Sequence, residues 1–163
     1  MIIGKLNKIA QSNITSNQAS VILTGIDVQS PHLIVWDNVF FDSNSGLRIR
    51  VTTSGSGQNT NNYDVGRFTD SHNSSDGGSG TANDNKFNFS QTVGTSVDNT
   101  HNGYMWLMNF ADSSKFSSVL VNVNNKITSK QRWGREANDG IEFFASDSNN
   151  IANGNFCLYR LVT

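Results

Sequence analysis

The chain has 163 residues, the usual size of one domain and enough to bury a core without disulfide or metal staples. Twelve basic residues stand against thirteen acidic ones, a net charge of -1 with no basic block to neutralise a row of phosphates, which argues against a nucleic-acid partner. Only 15% of residues are charged, no stretch reaches the ~18 apolar residues of a membrane span, and residues 1–8 lack the apolar centre of a signal peptide, so no membrane partner is expected and synthesis in a cytoplasm is.

Solubility rests instead on Asn, Ser and Thr, which together make up about a third of the chain and leave a neutral surface of amides and hydroxyls. Within it, apolar residues recur with period 2, the spacing of strands. Residues 5–10 are the first expected strand, followed by 19–24 and 32–41. The last two are almost continuously apolar, the pattern of strands buried on both faces or central in a sheet. Leu47-Arg48-Ile49-Arg50-Val51 alternates cleanly. The polar stretch 54–62 reads as an exposed loop, 63–68 as a strand, and 70–86, with its Asp76-Gly77-Gly78-Ser79-Gly80, as a second long exposed loop. Segments 87–89, 103–110, 119–123, 126–133, 140–145 and 155–162 complete about eleven strands.

Ser43-Asn44-Ser45-Gly46, Asn124-Asn125, Asp139-Gly140 and Asn153-Gly154 are turn signals, because Asn, Asp and Gly accept positive φ at low steric cost. No segment carries helical spacing. The expected fold is all-β, a jelly-roll-like two-sheet β-sandwich of about ten strands, formed by a single domain over 1–163.

Chemistry is harder to find. His32, His72 and His101 have no second ligand at metal spacing, and the last two fall in polar stretches where solvated side chains are expected. Cys157 lies in the apolar run Phe156-Cys157-Leu158-Tyr159, where a buried thiol packs as a small hydrophobe, and Trp36 and Trp106 are expected in the core. Asp70, Asn73 and Asp76, followed by Gly77-Gly78, have the oxygen-rich look of a calcium loop but lack the order and closing glutamate of an EF-hand. The glycine pairs lack the Gly-Lys-Ser/Thr ending of a phosphate loop. No metal or cofactor is therefore expected, and the chain is not expected to be an enzyme.

Trp133-Gly134-Arg135-Glu136 resembles the Trp-Gly-x-Glu element with which galectins stack a galactose ring, although the accompanying His-x-Asn-Pro-Arg element is absent. A Trp beside charged groups offers a sugar one flat apolar face and hydrogen-bonding partners; the plainer reading is a strand-end Trp covering the core. Trp133, Arg135, Glu136, Asp70, Asn73 and Asp76 are the candidate ligand or partner contacts.

The segment Gly140-Ile141-Glu142-Phe143-Phe144-Ala145, with Asn150-Ile151-Ala152-Asn153-Gly154-Asn155-Phe156-Cys157-Leu158-Tyr159-Arg160-Leu161, resembles a signature of small virion structural proteins of marine bacteriophages. There an Ile-x-Phe-Phe strand leads through a Gly-Asn-Ile-Ala-x-Gly turn to a closing Phe-x-Leu-Tyr-Gly strand. Lys5-Leu6, Phe40 and Leu47-Arg48-Ile49-Arg50-Val51 fit the same plan, while Asn149 and Arg160 replace two of its glycines and 70–86 matches none of it. The resemblance implies a virion surface location as a capsid decoration protein or head appendage, with the major capsid protein or other virion proteins as partners. It also implies a symmetric homo-oligomer, a trimer being favoured. The alternative is a tail-appendage module that recognises a host surface glycan.

Overall fold

A computed structural model describes residues 4–28, 31–60, 62–71, 74–93, 95, 100–123, 126–132 and 134–162. Thirteen strands appear among them: β1 Lys5–Ile14, β2 Ser20–Thr24, β3 His32–Phe41, β4 Ser45–Thr53, β5 Ser56–Gly57, β6 Tyr63–Ser71, β7 Ser74–Asp84, β8 Phe87–Val93, β9 His101–Met108, β10 Ser117–Val123, β11 Lys126–Arg132, β12 Gly140–Ala145 and β13 Ile151–Val162. Each of the eleven expected segments overlaps a strand; β5 and β7 are additional.

The larger sheet runs β1-β13-β3-β9-β10-β11-β6-β7, and the smaller runs β2-β12-β4, with β8 and β5 sharing the far edge of β4. The pairing is nested. β1 pairs β13, β2 pairs β12, β3 pairs β9, β4 pairs β8 and β6 pairs β7, each pair inside the last and in the other sheet, all antiparallel. A long double ribbon folded over itself in this way is a jelly-roll-like β-sandwich.

The core lies between the sheets and follows the alternation. From the smaller sheet come Ile49 and Val51, paired with Phe143 and Ile141, all with no exposed surface. The larger sheet contributes the row Leu158, Ile34, Met105 and Val121. Aromatic rings link the two layers: Trp36 lies 5.7 Å from Phe143, and Phe143 lies 4.9 Å from Phe156. Gly103 sits opposite Trp36 because the indole occupies the space a side chain there would need.

Between β12 and β13 a single 3-10 turn, Ser146–Ser148, is held by Ser45, whose hydroxyl lies 3.0 Å from the Ser146 carbonyl oxygen and 2.8 Å from the Ser146 hydroxyl. Asn150 donates from its backbone to one Asp42 carboxylate oxygen at 2.9 Å and from its amide to the other at 2.7 Å. These bonds draw the Asp42 carboxyl below its usual value, the backbone bond most.

Several expectations are corrected. Most of 70–86 is a strand, not a loop: β7 pairs residue by residue with β6, from Val65↔Thr81 to Ser71↔Ser74. Asn153-Gly154 is not a hairpin turn but lies inside β13, at register shifts against β3. His101 is not solvated; it opens β9 fully buried, its ring 5.7 Å from Phe41 and edge-on to it. Trp106 and Cys157 do not enter the core: they alternate with buried Met105 and Phe156, so they face outward and are partly exposed. His72 lies outside the described residues.

Candidate functional site

Three connections meet at one end of the sandwich: 25–28 after β2, 109–116 between β9 and β10, and 134–139 after β11. Gly25 takes φ 107°, and its amide and that of Ile26 donate to the Asp139 carbonyl at 2.9 and 3.1 Å. That turn places Asp27 beside Arg160, at 2.6 Å, and beside the buried His32, at 3.8 Å. In 109–116, Asp112 accepts from the Ser114 hydroxyl at 2.6 Å and amide at 2.9 Å and pairs with Lys115 at 2.9 Å. The Ser114 hydroxyl is the largest cause of the fall of the Asp112 carboxyl from 3.8 to about 2, followed by the Lys115 contact.

Between these two connections lies a cleft of about 370 Å³. Its apolar wall includes Leu107, Met108 and Phe110, and its polar groups include Asp27, His32, Asp112 and Lys115. The volume is within the lower range of small-ligand sites, and the arrangement of a few polar groups around an apolar floor is the usual one.

The third connection is built around Arg132, at the end of β11 and wholly buried. Its guanidinium donates to Glu136 at 2.9 Å and Thr60 at 3.2 Å, and lies 5.4 Å from the Tyr63 ring centre. Gly134 follows because a Cβ there would stand 2.5 Å from the guanidinium. Asn138, also buried, donates its amide to the Phe110 carbonyl at 3.0 Å, the Ser117 hydroxyl at 3.0 Å and the Glu136 carbonyl at 3.1 Å. The network therefore fixes the connection that carries the cleft's Phe110.

The residues nominated from sequence do not converge. Glu136 is held by Arg132, and Arg135 stacks over Phe116 with its guanidinium carbon 4.6 Å from the ring centre. Trp133 and Asn73 lie outside the described residues. Asp70 and Asp76 lie near the β6–β7 tip. Because Tyr63 at the start of β6 is opposite Arg132, that tip points to the far end of the sheet. Among the described residues, no three His, Cys, Asp or Glu side chains cluster to hold a metal ion. No described helix is long and apolar enough to cross a membrane.

Sequence reading missed Arg132, Asn138 and the Asp27–His32–Arg160 group. Arg132 was not legible: its parity opposes that of Ile127, the apolar residue of 126–132, which reads as an outward position, and only its pairing with the buried Ser117 shows that it turns inward. The other groups come together only through the crossing of the chain from one sheet to the other. No family model matches this chain, and no curated protein matches it in sequence.

Proposed function

We propose that the chain is a structural protein of a bacteriophage particle surface, a capsid decoration or head-appendage module that contacts the major capsid protein and assembles as a homo-oligomer. The observation that supports this reading is the position of the resembling segment. Gly140–Ala145 lies between β2 and β4 in the smaller sheet, and Ile151–Val162 lies between β1 and β3 in the larger. The residues that resemble virion proteins are thus the frame of both layers, and the jelly-roll architecture they build recurs in viral shells. The near-zero net charge suits dense packing of copies, because no long-range repulsion opposes it. Quantitative mass spectrometry of purified particles tests the reading. A fixed ratio of this chain to the major capsid protein supports it, and absence from particles overturns it.

The cleft favours a second reading, a tail-appendage module that binds a host surface glycan, since jelly rolls also serve as lectins. Here the sugar would rest on Met108 and Phe110 and hydrogen-bond to Asp27 and Asp112, away from the strand end that carries Trp133. Glycan-array binding lost in Asp27→Ala and kept in Trp133→Ala supports this site; the reverse pattern moves it to Trp133.

A further inference from the structure

The two outer faces of the sandwich differ. On the smaller sheet the row Ile22, Glu142 and Arg50 is charged, with Arg50 also lying over the Phe144 ring at 4.3 Å. On the larger sheet, one row across six strands reads Lys8, Tyr159, Leu33, Trp106, Leu120 and Ser129. The next reads Gln11, Cys157, Val35, Tyr104, Asn122 and Ile127. The only formal charge in the two rows is Lys8, on the edge strand. Val35, Tyr104, Leu120 and Ile127 are exposed, and the remaining apolar members are partly so.

We infer that this face is an interface with a second copy of the same chain, the two sheets stacked across a two-fold axis. Three observations select that occupant. First, Leu33–Trp36 of β3 and Phe156–Tyr159 of β13 are apolar at both parities, the pattern of strand segments covered on both faces, yet the fold covers only one. Second, the face has an apolar, aromatic centre, bordered by Lys8 and Gln11 on β1, Ser129 on β11 and Asp37 in a flanking row, so one charge of each sign borders it. Third, the area fits. Six strands ~4.8 Å apart, with the two rows above and the flanking rows through Leu161, Met108 and Ser118 and through Asn155 and Asp37, ~6.7 Å apart, span roughly 500 Å², so two copies bury roughly 1,000 Å², the lower bound of a specific interface. Stacking at ~10 Å repeats the packing that the inner face already makes. A two-fold pair replaces the trimer that the resemblance implied.

The test is sedimentation equilibrium of the purified chain at micromolar concentrations, and it is independent of where the protein acts. Leu120 and Ile22 are matched, each 40% exposed but on opposite outer faces. The wild type and Ile22→Lys are expected at twice the 17.8 kDa chain mass. Leu120→Lys, which would bury an unpaired charge, is expected to weaken pairing about tenfold or more. A wild-type mass of one or three chains, or a Leu120→Lys variant that pairs as the wild type does, overturns the inference. Should Leu120→Lys fail to fold, alkylation of Cys157 in the wild type decides: a rate that rises on dilution supports pairing, and a concentration-independent rate overturns it.

Discussion

The guanidinium of Arg132, with no exposed surface, meets the Glu136 carboxylate at 2.9 Å, and the carboxylate side of the pair is 43% exposed. The two partners are therefore unequal. Removing Glu136 leaves a cation enclosed in protein, whereas the carboxylate alone has water at hand. Glu136→Ala should cost about 2 kcal/mol, below the ~3–5 seen when both ions are enclosed. Arg135→Ala, which removes only an exposed stack on Phe116, should cost less than about 1 kcal/mol. Urea denaturation midpoints at constant slope compare the two.

Gly103 gives a packing prediction. A methyl group there would meet the Trp36 ring at 2.6 Å and also the Asn122 carbonyl oxygen. Neither yields easily, since one is a core ring and the other is backbone. Gly103→Ala should destabilise by about 1–3 kcal/mol, read from the same denaturation curves. Near-ultraviolet circular dichroism should change with it, because the Trp36 environment shifts.

Asp112 makes the fold sensitive to acid. Its carboxyl titrates at about 2 in the folded chain against 3.8 ordinarily, through Ser114 and Lys115. A depressed folded value means that the ionised form is favoured by folding, so the contribution is full above 3.8 and is lost as pH falls toward 2. Carbon-detected NMR of the Asp112 carboxyl should give a midpoint near 2, and Ser114→Ala should move it toward 3.8. An unmoved midpoint would mean that the hydroxyl does not hold it.

The strands were legible because one parity is apolar and the other polar, as in Leu47-Arg48-Ile49-Arg50-Val51. β7 was not, because Ser74-Ser75-Asp76-Gly77-Gly78-Ser79-Gly80 has neither alternation nor β-forming side chains, and its pairing with β6 is a backbone matter. The facing of Trp106 and Cys157 was not legible either. In Phe156-Cys157-Leu158-Tyr159 both parities are apolar, so period 2 cannot choose between them. That ambiguity was itself information, since it marks the sheet with an apolar outer face. The cleft was out of reach because Asp27 and Asp112 come from two connections and His32 from the start of β3, brought together only by the nested pairing.

The proposed virion role is tested most directly by adding purified protein to phage capsids prepared without it, followed by electron cryomicroscopy of the particles. A particle-surface structural protein restores a symmetric layer at fixed stoichiometry, seated on the capsid protein. Capsids that stay bare while the protein remains folded would contradict the account.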